Sequence, residues 1–228
     1  MGYSVTLLHE IIQFTPPLVR GAWVTVQLTF FSILVTVIIA FIFGVMRHTR
    51  ISILNGIASI YIDFFRGTSA LVMLYWIYFA LPFLGLTFSP MMAGIIGLGT
   101  TFGAYGADYV RGSVDAVPRE QYIAATALNF TKWQTMIRII LPQAVIRMIP
   151  PFGNLFIQLL KATALVSLIT IHDLTFQAQI LRSQTYKTVV LFSMTLVMYF
   201  ALASLMTAGM RALERRVSHG QDYGGAQL

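Results

Sequence analysis

Residues 119–143 read REQYIAATALNFTKWQTMIRIILPQ, the longest well-mixed polar stretch in a chain otherwise made of apolar runs of membrane length. Pro118 suits the first position of a helix, where its missing N–H costs nothing, and Glu120 in the first turn complements the helix dipole. The spacing predicts a helix through Ala124, Ala125 and Leu128 to Asn129, a residue that tolerates the left-handed conformation closing a helix. Thr131 and Gln134 stand at capping-box spacing, so a second helix opens at once. It carries Trp133, Met136, Ile137 and Ile140 at helical spacing and is expected to stop at Pro142. The adjacent small residues Ala124 and Ala125 would let another surface approach the backbone closely.

On either side of this segment the composition is that of a membrane protein. Of 228 residues, 57% are hydrophobic and 10% charged, against about 25% charged in soluble domains. A single domain, residues 1–228, is the natural count. The chain has no cysteine, which excludes disulfides. The N-terminal residues lack a basic region and a small-residue cleavage site, so no removed signal peptide is expected. Met1-Gly2 with Thr6 fits a myristoylation pattern only formally. Residues 4–17 are expected to form a short outer-surface helix ended by Pro16-Pro17.

Hydropathy predicts an all-α polytopic fold of five transmembrane helices, at about 22–46, 68–84, 91–110, 145–170 and 189–210. Ala22–Met46 carries no charge, and neither do the 41 residues from Gly67 to Ala107, which Pro82, Gly85 and Pro90 divide into a hairpin of two spans. The fourth span is expected to be interrupted at Pro150-Pro151 and Gly153, with Lys161 at its middle. Residues 112–142 then form a loop. Eleven basic residues (Arg47, Arg50, Arg66, Arg111, Arg119, Lys132, Arg138, Arg147, Arg211, Arg215 and Arg216) fall on one side of such a membrane. Only Arg20, Arg182 and Lys187 fall on the other. This bias predicts the N-terminus outside and the C-terminus in the cytoplasm. It accounts for the net charge of +7 without nucleic acid, which a helix–turn–helix tethered to a bilayer on both sides could hardly reach.

The loop resembles the cytoplasmic coupling loop of ABC importer permeases in its Ala124-Ala125 pair, its turn residue Asn129 and its closing Ile139-Ile140-Leu141-Pro142. Two positions depart from that pattern: Ile123 stands where a Glu is usual, with Glu120 three residues earlier, and Asn129 replaces a Gly. The resemblance extends over roughly residues 20–217. Phe65-Arg66-Gly67-Thr68, Gly103-Ala104-Tyr105, Arg111-Gly112, Leu141-Pro142-Gln143-Ala144, Pro150-Pro151, Gly153-Asn154, Leu160-Lys161 and Leu213-Glu214-Arg215-Arg216 are similar to the polar amino-acid subfamily. The resemblance implies a bacterial inner-membrane permease of the type I importer architecture. A second permease subunit would pack beside it, a pair of ATP-binding cassette ATPases would dock on Glu120, Ala124, Ala125 and Asn129, and an external solute-binding protein would deliver solute. No cofactor is expected on this chain, since ATP and Mg would be held by the ATPase.

Ionisable groups inside spans are candidate functional sites. Asn154, Gln158 and Lys161 share one helical face, and Thr101, Tyr105 and Asp108 repeat that spacing on the third span. Two such stripes are best explained if both line a shared solute path. The alternative is interhelical glue, with Lys161 snorkelling and Asp108 paired with nearby Arg111. Family members often carry an acidic residue where Leu155 stands, and Asp and Ser where Ala162 and Ala164 stand. Their absence favours a neutral or zwitterionic solute such as a polar amino acid. His9, His48, His172 and His219 lie in separate segments and suggest no metal site. There is no Walker A loop, HExxH or GxSxG motif, so no catalytic residues are expected. A channel or ion-coupled carrier working without an ATPase would have no use for the helical pair, and a membrane enzyme would need an acid, base or nucleophile cluster that the spans lack.

Overall fold

The computed structural model describes residues 2–49 and 51–218, with side chains from residue 10 to residue 217. Met1, Arg50, His219 and the side chains of Thr6 and His9, to which sequence expectations attach, lie outside that set. Among the described residues all regular structure is helical. Helix α1 spans Gly2–His48, α2 Ser52–Gly67, α3 Ala70–Tyr75 and α4 Pro90–Asp115. In the second half α5 spans Arg119–Ala127, α6 Lys132–Thr135, α7 Leu141–Ala162, α8 Leu174–Thr185 and α9 Thr188–Ser218.

The core is the crossing of α1 on α4. α4 is rich in small residues, and a side chain added to it would collide with its neighbour: a Cβ at Gly99 would lie 2.5 Å from Val35 Cγ1, and one at Gly103 2.5 Å from Ile39 Cγ2. Small residues at a membrane helix interface let backbones approach and maximise van der Waals contact where lipid offers no hydrophobic drive. Thr25, Thr29, Ser32 and Thr36 form the matching buried face of α1. Thr25 and Thr29 return their hydroxyl protons to carbonyls one turn back in their own helix, while Thr36 reaches the Gly99 carbonyl across the crossing.

Three helical stretches, Glu10–His48, Lys132–Ile169 and Thr188–Val217, are long and apolar enough to cross a membrane. The pair Ser52–Gly67 and Ala70–Leu84 qualifies only together and is bent by 102°. α2 is thus a separate helix between the first predicted span and the hairpin. Its Ile53, Ile57, Ile60 and Phe64 project outward on one face, and its Tyr61 hydroxyl donates to the Thr100 carbonyl of α4 at 2.7 Å.

Proline obeys different rules here from those assumed above. Pro16-Pro17 do not end a short helix, because α1 runs through both. Pro16 is exposed and Pro17 half-buried, and the Thr15 hydroxyl donates to the Ile11 carbonyl in that turn. Nor do Pro150-Pro151 and Gly153 interrupt α7, which is helical across all three. Pro142 does not stop the second loop helix either. α6 passes through a π-helical turn, Met136–Ile140, directly into α7. The Leu141 N–H reaches back five residues to Met136, so Pro142 follows where the regular i−4 ladder is already broken. The same device occurs at Trp76–Ala80, a π turn followed by Leu81-Pro82. There the chain tightens to a 3-10 turn and closes at left-handed Gly85 (φ 84°), giving the hairpin read from sequence. The real discontinuity of the fourth span lies later, where α7 becomes the 3-10 segment Thr163–Ile169 and ends at left-handed Thr170 (φ 64°).

Candidate functional site

The coupling segment forms as its sequence indicates. α5 starts after Pro118 and closes at Leu128, whose N–H reaches the Ala124 carbonyl at 3.1 Å. Asn129 takes the left-handed turn with φ 55°. Thr131 and Gln134 make both bonds of the capping box, 3.2 Å to the Thr131 hydroxyl and 2.9 Å to the Gln134 carbonyl oxygen. Two contacts tie α7 to the end of α4 and to α5. Arg147 of α7 donates to the Ala116 carbonyl at the end of α4, and the Gln143 and Gln121 side chains meet at 3.4 Å. Burial, reinforced by the nearby Asp115 charge, pushes the Tyr122 hydroxyl up from its ordinary value, which keeps it protonated.

The two alanines part company. Ala124, Glu120 and Asn129 are exposed, whereas Ala125 is 1% exposed and turned into the chain itself, on the side where α5 packs on the π turn. Ala124 is open to an approaching surface and Ala125 is not. The same loop carries apolar side chains that the chain itself leaves uncovered: Ile123, Leu128 and Trp133, each about 70% exposed. These were legible only as apolar letters in a polar loop, because their orientation depends on the face α5 presents to the π turn.

The two polar stripes do not converge within one chain. On α4, Thr101 is buried and its hydroxyl lacks a partner. Tyr105 lies under the Arg66 guanidinium, 5.7 Å from the ring centroid. Both oxygens of Asp108 are taken, one by Arg47 of α1 at 3.1 Å and one by Arg66 of α2. Arg111, the partner suggested by proximity in sequence, binds Asp115 instead, together with His48. Asp108 thus ties the ends of α1 and α2 to α4. On α7 the arrangement is the reverse: Asn154, Gln158 and Lys161 are all exposed on one face, and none has a hydrogen-bond or ion-pair partner among the described residues. A lysine beside two amides, all directed away from the chain's own core, presents donors and acceptors of the kind that match a carboxylate and neighbouring polar atoms. His172 stacks on Phe176 at 4.7 Å, and among the described residues no cluster could hold a metal ion.

Sequence reasoning passed over α8 and the buried carboxylate that caps it. Asp173 accepts from the Thr175 and Phe176 N–H groups at 3.2 and 3.0 Å, and the Tyr199 hydroxyl of α9 donates to it at 3.3 Å. Burial pushes its carboxyl up to about 6 against these opposing bonds. The signal was there, an Asp directly ahead of Leu-Thr-Phe-Gln, in the position of a helix N-cap.

Comparison with known proteins agrees with this architecture. Residues 37–219 match the family described as binding-protein-dependent transport system inner membrane component. The chain is 46% identical over 213 residues to a probable amino-acid ABC transporter permease of Sinorhizobium fredii, covering 91% of this chain and 90% of that one. It is 32% identical to the glutamine transport system permease protein GlnP of Escherichia coli, over 89% and 93% of the two chains. A crystal structure of an amino acid ABC transporter with histidines superposes with a TM-score of 0.85 at 33% identity, covering 91% of this chain and 97% of that one. With the apolar helices and the helical pair between them, these matches place the chain in the family of binding-protein-dependent transport system inner membrane components: it is an ABC transporter permease subunit, a transport component and not an enzyme.

Proposed function

We propose that this chain forms half of the translocation path of an ATP-driven importer for a polar amino acid or a related zwitterionic solute. It works with a second permease subunit, identical or homologous, an ATPase pair below and a solute-binding protein outside. In this reading the polypeptide is one permease domain that crosses the bilayer five times. The crossings are α1, α3 with its π and 3-10 turns, α4, α7 with its 3-10 extension, and α9. The basic bias of the connections puts the N-terminus outside and the C-terminus in the cytoplasm. ATP and Mg belong to the partner ATPase, and this chain holds no cofactor. Thr101, Tyr105 and Asp108 support the path from α4, while Asn154, Gln158 and Lys161 meet the solute from α7.

The observation that carries the coupling is the exposed triad of Ile123, Leu128 and Trp133 on a helical pair braced by Arg147. A tryptophan anchor such as Trp133, seated in a partner's pocket, is of the type that supplies about 2 kcal/mol or more. In the purified, reconstituted assembly, Trp133→Asp is expected to abolish solute-stimulated ATP hydrolysis while the chain still inserts. Stimulation at the wild-type level in an assembled Trp133→Asp complex would overturn the docking assignment.

A further inference from the structure

We propose a second station for the zwitterionic solute at the cytoplasmic end of the path, in the crevice between α7 and α9; the proposal rests on the importer reading above. The crevice has a volume of about 180 Å³, and its lining includes Asn154, Ile157, Thr207, Met210, Arg211 and Glu214. That is below the ~300–1,000 Å³ of clefts for drug-sized ligands and suits a molecule of amino-acid size. Its chemistry is two-signed. Arg211 and Glu214 open onto the same space three residues apart on α9, yet make no ion pair with each other or with any other described residue. An unpaired guanidinium and an unpaired carboxylate in one crevice match the carboxylate and ammonium of an amino acid. The Asn154 amide has no partner among the described residues, so it offers both donor and acceptor. Thr207 has spent its proton on the Ala203 carbonyl at 2.7 Å and keeps an acceptor for an ammonium. Ile157 and Met210 supply apolar wall.

Position strengthens the case. Asn154 belongs both to this crevice and to the outward polar face that it shares with Gln158 and Lys161. Seven residues of helix separate Asn154 from Lys161, about 10 Å. A solute leaving Lys161 for the cytoplasm therefore finds the next opposite charges along one helix face, without crossing apolar surface. An anionic phospholipid head group fits less well, because Glu214 repels a phosphate.

The chain has no cysteine, which permits a direct test. Met210→Cys is introduced into the crevice and Ala212→Cys at an exposed control position on α9 beyond the span. The whole importer is placed in nanodiscs without its binding protein, and maleimide labelling of this chain is followed by mass spectrometry. An equimolar mixture of the nineteen thiol-free amino acids at millimolar concentration should slow labelling of Met210→Cys at least threefold and leave Ala212→Cys unchanged. Acetate and choline, each bearing one charge, should not protect. Protection should disappear when Arg211→Gln or Glu214→Gln is added and persist in Lys161→Met, which separates this station from the one higher in the path. If the Gln variants do not assemble, the comparison of amino acids with acetate and choline decides by itself. The proposal is overturned if the mixture gives no protection, if acetate or choline protects equally, or if Lys161→Met abolishes protection. It is also overturned if phosphoethanolamine, the soluble lipid head group, protects where amino acids do not.

Discussion

Lys161 and Asp173 are the two charged side chains whose surroundings make the sharpest residue-scale statements. Lys161 stands exposed at the end of α7 with no counter-charge among the described residues, a costly arrangement in a span unless a ligand completes it. Lys161→Met keeps length and loses charge, so transport should fall more than tenfold with the assembly intact and basal ATP hydrolysis preserved. Uptake at the wild-type rate would reduce Lys161 to a snorkelling lysine. Asp173 makes a statement about pH. Its folded value of about 6 lies above the ordinary ~3.9, so the folded state binds the proton more tightly than the unfolded one. Its contribution to stability is full below about pH 4 and is lost as pH rises through about 6. Asp173→Asn keeps a cap acceptor without the charge. The wild-type melting midpoint should therefore drop relative to the Asn variant between pH 4 and 6.5, with a constant gap above pH 7. A gap that does not change across that window would show the carboxyl ionised throughout. The local features, Asn129 and the capping box of Thr131 with Gln134, were readable in advance because they depend on neighbours within four residues. The partner of Asp108 was not, since Arg47 and Arg66 come from 61 and 42 residues away.

The elements show which sequence rules change inside a bilayer. Prolines predicted a helix end or break at three places, Pro16-Pro17, Pro142 and Pro150-Pro151, and produced none; within a span a broken helix would leave polar backbone unsatisfied, so continuing the helix costs less. The π turns before Leu81-Pro82 and Leu141-Pro142 are the local accommodation. α2 and α8 escaped detection for a simpler reason: at 16 and 12 residues they lie beside the spans, and hydropathy sees only the spans. The glycine pattern of α4 was read only as part of a motif, although at Gly99 and Gly103 it leaves no room for a Cβ against α1. Gly103→Val must force α1 away from α4. Overpacking of this kind costs about 1–3 kcal/mol or more, and the yield of assembled complex should fall several-fold, whereas Gly112→Val, with open space around it, should be tolerated. Equal yields would mean the crossing is loose. The opposite orientations of the two alanines separate docking from folding: Ala124→Arg should lose stimulated ATP hydrolysis in a well-inserted chain, while Ala125→Arg should lower the amount of chain recovered. Identical behaviour of the two would contradict the burial pattern.

At the scale of the molecule, α1 and α4 form one closely zipped body, and the helix beginning at Lys132 forms the other principal piece. Helical structure is continuous from Lys132 to Ile169, 38 residues, through the very proline at which the sequence suggested a stop. A single alanine inserted between Gln143 and Ala144 leaves the helical propensity of both halves intact but turns one about 100° relative to the other. Stimulated ATP hydrolysis and uptake should both disappear while the protein still inserts, and preserved uptake would show that the two halves act independently. That continuity has a mechanical meaning. The segment stays helical from Trp133 to Lys161, through the π turn at Met136–Ile140. In the proposed importer it would serve as a lever: Lys132–Ala162 is about 46 Å long, and a tilt of only ~10° at the foot would sweep the far end through ~8 Å. If the proposed docking under Trp133 holds, a small rocking of the ATPase surface would be enough to swing Lys161 from one side of a solute to the other.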